Sequence, residues 1–372
     1  MRKITTLIFI ILLISPILGN ISGFRNEQLH ENRELVNLPE YSANNLLDPN
    51  YYSNIERYYN DQFVYRRELI KAKSLIDYYV FNTSITSKVY IGEKEWLYLR
   101  TELPDYQKDG CRAREDMREL ASQISRMEYI LNKKGKKLLF IVAPNKSTIY
   151  PEYVGLLQST YGCNKSKYDL LLEAFNEYPV KGFIRLDDKL LLAKGDKELY
   201  YWDDTHWNVN GAMIASIEIL KYLNPITWEK SFPVVNTAHE QMDGELTNMM
   251  AVRRLTKKVF IKNTSYPFKI DENILEPEDR IRPKYEFKAK SISNDLIPRT
   301  VILRDSFMNL PLIFIKGSFE QLDTYWWQFH LSDQRVAEDL RSSKVIIIEC
   351  VERFLEPLKS KLPIILSALE DN

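Results

Sequence analysis

The stretch EDMRELASQISRMEYILNKKGKKLLFIVA, residues 115–143, decides the fold. Glu115 to Lys134 reads as a helix, Gly135 stops it, and Lys137-Leu-Leu-Phe-Ile-Val-Ala143 is an apolar strand ended by Pro144. A strand without a polar face is buried on both sides, as in a parallel sheet covered by helices. The rhythm recurs. Lys165 to Tyr178 is a helix followed by the strand Gly182-Phe-Ile-Arg-Leu186; Asn210 to Tyr222 is a third helix and Val301-Ile-Leu303 a third strand; Arg335 to Leu340 and Lys344-Val-Ile-Ile-Ile-Glu349 form another helix–strand pair. The expected class is α/β, a parallel sheet flanked by helices. Ligands in such sheets bind beyond the carboxyl ends of the strands, which singles out Pro144-Asn145-Lys146, Ser306 and Glu349.

Working outward, Ser53 to Tyr79 reads as helical, and Lys88-Val-Tyr-Ile and Trp96-Leu-Tyr-Leu flank Gly92-Glu-Lys-Glu as a hairpin. Residues 225–298 break the rhythm with charge clusters, prolines and the strand-like Val259-Phe-Ile, and read as an insertion over one side of the sheet. The expected organisation is a signal peptide or signal anchor over residues 1–24, a linker over 25–50, one catalytic domain over 51–360 and a tail over 361–372. Arg2 and Lys3 precede an uncharged run from Ile4 to Phe24, long enough for either kind of segment. Both place the body of the protein outside the cytoplasm, membrane-attached if the segment is retained.

Lysine plus arginine equals aspartate plus glutamate, 51 against 51, so no electrostatic footprint for nucleic acid is present. In an oxidising compartment Cys111 and Cys163, both in polar loop-like settings, can pair, whereas Cys350 ends an apolar run and reads as a buried free thiol. No CxxC pair or His/Cys cluster argues for a metal, and no cofactor is expected.

The chemistry is concentrated in two places. Tyr200-Tyr201-Trp202-Asp203-Asp204-Thr205-His206-Trp207-Asn208 sets Asp204 and His206 two residues apart, on one side of an extended segment. Thr300-Val-Ile-Leu303 breaks into Arg304-Asp305-Ser306-Phe307, a strand delivering a serine at its end. A serine hydroxyl needs an imidazole to take its proton, and the imidazole needs a carboxylate to hold its tautomer. Ser306, His206 and Asp204 are those parts, with Asp203 as the alternative carboxylate pointing the other way. Ser306 also reads as a helix N-cap, a compatible role, and Trp202, Trp207 and Tyr325-Trp326-Trp327 read as packing or as a sugar platform.

Over roughly residues 50–360 the chain resembles the SGNH-hydrolase-like alginate O-acetyltransferase family of the AlgJ/AlgX type. Asn60-Asp-Gln-Phe63 with Arg66-Arg67, Gly92-Glu-Lys-Glu-Trp96-Leu97-Tyr98, Pro144-Asn-Lys146 with Ile149-Tyr-Pro151, Asp204-Thr-His206-Trp207-Asn208 with Gly211, and Glu352-Arg353 carry the resemblance. It implies Ser306 as nucleophile, His206 as base and Asp204 as its carboxylate, with Arg304, Asn145, Lys146, Asn309 and Trp207 as substrate or oxyanion residues. It also implies a polysaccharide acceptor outside the cytoplasm and a membrane-bound acetyl-export protein as partner. Arg304 stands where SGNH enzymes commonly have glycine, and the chain is expected to lack the carbohydrate-binding module of some relatives. Two other readings remain open: a carbohydrate acetylesterase using water, and a non-catalytic scaffold or glycan-binding subunit of an export complex.

Overall fold

The computed structural model of the chain describes residues 4–6, 9–11, 36–42, 45–62, 65–195, 197–226, 228–252, 254–267, 269–274, 284–290 and 296–370. Most of the expected signal segment and linker, and Phe63, Pro277 and Pro283, lie outside them. Among the described residues no helix is long and apolar enough to cross a membrane. The chain divides into two compact units, residues 1–85 with Met250–Val252, and residues 86–249 with 253–372. In the first unit the stretch expected as one helix is two, Pro49–Gln62 and Arg66–Tyr79, with Tyr65 outside helical geometry between them.

Among the described residues the second unit holds eleven strands: β1 (Val89–Ile91), β2 (Leu97–Leu99), β3 (Lys137–Ala143), β4 (Phe183–Ile184), β5 (Val234–Met242), β6 (Thr256–Ser265), β7 (Lys269–Ile274), β8 (Tyr285–Lys290), β9 (Thr300–Arg304), β10 (Gln321–Trp326) and β11 (Val345–Val351). The main sheet runs β4-β3-β11-β9-β10-β8-β7. Its first five strands are parallel, and β8 and β7 extend it antiparallel. The expectation of a purely parallel sheet therefore fails at one edge. Part of the presumed insertion, the charged and alternating β7 and β8, joins the sheet instead of covering it. The rest of it, β5 and β6, forms a separate antiparallel ribbon.

Period-two side-chain alternation divides the core into two. Leu139 and Ile141 of β3, Ile302 of β9 and Ile347 of β11 enter one cluster with the helix Val209–Leu223. Leu138, Phe140, Val301, Leu303, Ile346 and Ile348 enter the other, under the helices Arg114–Lys133 and Lys167–Glu177. Cys350 is a buried free thiol, and Cys111 and Cys163 are joined by a disulfide with Cα atoms 5.6 Å apart.

Residues 361–372, read above as a tail, contain the helix Leu362–Glu370. Its Leu362, Ile365, Leu366 and Leu369 are buried in the second cluster. Truncating Ile365, fully buried there, to alanine should cost about 2–5 kcal/mol of stability. Urea unfolding of Ile365→Ala checks this; a midpoint unchanged from wild type would show that the helix is not part of the cooperative core.

Candidate active site

Three parallel strands end side by side, and each hands over a short polar turn: β3 to Asn145-Lys146, β9 to Asp305-Ser306, β11 to Glu352-Arg353. At the end of β9 it is Asp305, not Ser306, that caps the following turn, accepting from the Phe307 N–H at 2.8 Å. Its second oxygen accepts from the Val351 N–H of β11 at 2.7 Å, and its own N–H donates to Glu349 at 3.0 Å. The two carboxyls share a dry space: burial raises the pKa of both, and for Glu349 the charge of Asp305 adds to it. Ser306 is thus fastened from the neighbouring strand.

The Asp-Thr-His segment is a loop pinned at both ends. Tyr200 bridges Trp207, and the Asn208 N–H donates to Leu199 O at 2.8 Å. Asn208 then caps the helix Val209–Leu223, its side chain accepting from the N–H groups of Asn210 and Gly211. Residue 211 must be glycine, since a Cβ there would meet Leu199 O at 2.4 Å and Trp207 Cβ at 2.9 Å.

The three chemical groups meet. The Ser306 hydroxyl donates to His206 Nε2 at 2.8 Å, and His206 Nδ1 donates to Asp204 Oδ1 at 2.8 Å. The backbone N–H groups of His206 and Glu245 donate to the two Asp204 oxygens at 3.1 Å each. Burial pushes the Asp204 carboxyl up, but the hydrogen bond and charge of His206 and these N–H groups outweigh it and hold it well below the usual carboxylate range. Burial pulls the His206 pKa down, yet Asp204 and then Glu245 leave it above its ordinary value. Asp203, the alternative carboxylate, is turned away and fully buried against Lys258 at 2.6 Å.

Of the remaining expected residues, Asn309 and Trp207 line the pocket beside Ser306. Trp207 is buried, and its indole N–H donates to Phe307 O at 2.9 Å, tying the histidine loop to the serine turn. Arg304, Asn145 and Lys146 do not present themselves to a substrate; all three are fully buried. The Arg304 guanidinium donates to Asn309 Oδ1 at 2.7 Å and lies over the Trp326 ring, so the group Asn309 can offer a ligand is its NH2. The Asn145 N–H donates to Glu352 at 3.0 Å. Lys146 Nζ donates to the carbonyls of Tyr201, Trp202 and Asp204 at 3.3, 3.2 and 2.6 Å, and burial brings its pKa down to about 8.

Sequence reasoning missed Glu245. Its Oε2 accepts from the Thr205 hydroxyl at 2.5 Å and lies 3.6 Å from His206 Nδ1. In the sequence it stands in Asp243-Gly244-Glu245-Leu246-Thr247, an ordinary polar stretch with nothing to mark it. Asp204, His206 and Glu245 are close enough to hold a cation, but His206 Nδ1 is already committed to Asp204. The pocket, about 300 Å³, is lined by Asp204, His206, Ser306 and Asn309, by Tyr201 with Trp207 and Phe307 packed behind, and by the ribbon residues Met242, Lys258, Phe260 and Ile261.

A parallel-centred sheet with a serine at the end of one strand and an Asp-x-His loop facing it defines an SGNH-hydrolase-like α/β protein. Residues 89–273 match the family model described as "SGNH hydrolase-like domain, acetyltransferase AlgX". A probable alginate O-acetylase AlgJ of Pseudomonas syringae pv. tomato is 26% identical over 190 residues, 50% of this chain and 46% of the relative. Its namesake from Pseudomonas putida is 24% identical over 164 residues, covering 43% and 40%. The chain thus spans about half the length of the curated relatives it matches. Among solved structures, the O-acetyltransferase domain of Pseudomonas putida AlgJ superposes with a TM-score of 0.52 at 15% identity, covering 76% of this chain and 99% of that one. Bacillus cereus PatB1 carrying a sulfonyl adduct gives 0.54 at 12% identity, covering 73% and 97%. Over residues 89–273 the chain thus matches the SGNH-hydrolase-like family of the AlgJ/AlgX type, and its fold is that of the AlgJ O-acetyltransferase domain.

Replacing Lys146 by methionine keeps the volume and leaves three carbonyls without their donor. Lys146→Met is expected to lose about 1–3 kcal/mol of stability and, in whatever reaction the site performs, to lower kcat more than it raises KM. Thermal unfolding with steady-state kinetics tests this; unchanged kcat would mean that the loop holds Asp204 without the clamp.

Proposed function

We propose that this protein is a polysaccharide O-acetyltransferase working outside the cytoplasm through a Ser306-His206-Asp204 triad. The observation that carries the proposal is the unbroken hydrogen-bond chain from the Asp204 carboxylate through both nitrogens of His206 to the Ser306 hydroxyl. Asp204 keeps the imidazole proton on Nδ1, so the Nε2 lone pair faces the hydroxyl. Ser306 Oγ attacks the acetyl carbonyl while its proton passes to Nε2; the same proton then leaves with the donor group, giving an acetyl-serine. A glycan hydroxyl next loses its proton to Nε2 and attacks that ester, and return of the proton to Ser306 Oγ releases the O-acetyl sugar. The tetrahedral oxyanion of each half-reaction is met by the Ser306 backbone N–H and the Asn309 NH2. The names of the AlgJ relatives support the acyl-transfer reading. Within it, a membrane-bound acetyl-export protein supplies the acetyl group and the N-terminal apolar segment holds the enzyme near that partner.

Intact-mass spectrometry of the full-length protein after treatment with p-nitrophenyl acetate tests the reading. A gain of one acetyl group that Ser306→Ala lacks is expected, with faster loss to an oligosaccharide than to water. Loss unaffected by glycan would make the protein an esterase, and absence of any adduct would leave the scaffold reading.

The acid limb of the rate gives a second test. His206 accepts a proton only when neutral, and its pKa lies above the ordinary imidazole value. Activity should therefore fall as pH drops, with a midpoint above about 6.5. In Asp204→Asn the raising group is gone, so the midpoint should move down while kcat falls roughly 10³- to 10⁴-fold. A midpoint unmoved by this change would exclude His206 as the base.

A further inference from the structure

The AlgJ relatives are named for alginate, a polyuronate; the lining of this chain's pocket is poorly suited to a sugar carboxylate. Among the described residues that line it, Lys258 is the single cation. Its ammonium is 2.6 Å from Asp203, which is fully buried and also accepts from the Thr256 hydroxyl at 3.1 Å. Drawing Lys258 toward a ligand carboxylate would strand the Asp203 charge in a dry site, a large penalty. Its charge is therefore spent. Around it stand Asp204, ionised beside His206, and Glu245, 3.6 Å from the same imidazole and partly exposed. Asp243 adds a further carboxylate to the lining, and, the triad and Asn309 apart, the rest of the wall is apolar or aromatic, with Tyr201, Phe260, Ile261 and Leu310 partly exposed. A sugar carboxylate entering here would lose water, gain no unpaired lysine or arginine among the described lining residues and meet like charges, whereas a neutral sugar ring can pack its CH faces on Tyr201 and Phe260.

We infer that the pocket takes a neutral hexose glycan as its acceptor and discriminates against polyuronates. This rests on the acyl-transfer reading for its biological sense, but its test is a binding measurement. Calorimetry of full-length Ser306→Ala with a manno-hexasaccharide and with a mannuronate hexasaccharide isolates the C6 carboxylate. The neutral oligomer should bind at least tenfold more tightly at about 0.01 M salt, with the gap shrinking toward about 1 M as like-charge repulsion is screened. Met242, 41% exposed on the ribbon wall, offers a place to add an unpaired cation: Met242→Lys should raise mannuronate affinity at least tenfold at low salt and narrow or invert the preference for the neutral oligomer. Equal or tighter binding of the uronate by the unmodified wall, or no binding of either sugar, overturns the inference. A protein that binds the neutral sugar but forms no acetyl-serine would keep it and refute the transferase reading.

Discussion

The site depends on one buried ammonium. Lys146 sits at the end of β3 with no exposed surface, where a free cation would be very costly. Its position is tolerable because three carbonyls of the Tyr201–Asp204 turn converge on it, the Tyr98 and Trp96 rings lie 5.1 and 5.8 Å from Nζ, and buried Glu102 supplies the opposing charge. The mutual need fixes the turn, and the turn fixes Asp204. This also gives the β1–β2 hairpin its purpose: Trp96 and Tyr98 form the aromatic backing of the clamp rather than a surface for sugar.

The serine is held by opposite means. Its neighbour Asp305 spends both oxygens on backbone N–H groups, one of them from the adjacent strand. His206 and Ser306 therefore come from independently braced pieces. They are brought into register by the Trp207–Phe307 contact, an indole N–H to carbonyl bond with the two rings edge-on at 5.2 Å. Movement at that joint would stretch or bend the Ser306–His206 hydrogen bond, which weakens steeply as its angle departs from linear.

The parts of the fold readable in the sequence were those whose pattern is local. β3, β9 and β11 are continuous apolar runs, and Gly135 and Pro144 punctuate the first of them, so the centre of the sheet was legible. β10 was not, because Asp323 and Thr324 interrupt its apolar run; both are buried, with Asp323 paired to Arg299, a partner 24 residues away. β7 and β8 look like solvated insertion because they carry charge on both sides. Asp204, His206 and Ser306 were nameable because strand ends and i, i+2 spacing are sequence properties. The roles of Lys146 and Arg304 were not, since a lysine or arginine near a strand end looks the same whether it meets a ligand or a main-chain carbonyl. Glu245 lay hidden for the same reason: only tertiary proximity brings it to the imidazole.

The order of strands in the main sheet carries a consequence for assembly of the site. Ser306 follows β9 and the clamp on the histidine loop follows β3, yet these strands are not neighbours; β11, made last, lies between them. Without β11 the sheet would be two half-sheets with a gap between them, Ser306 on one and the Lys146 clamp of the histidine loop on the other. Insertion of the final strand closes that gap. The Ser306–His206 contact thus depends on β11, a strand that follows both β3 and β9 along the chain, so a chain lacking β11 would not hold its serine against the histidine.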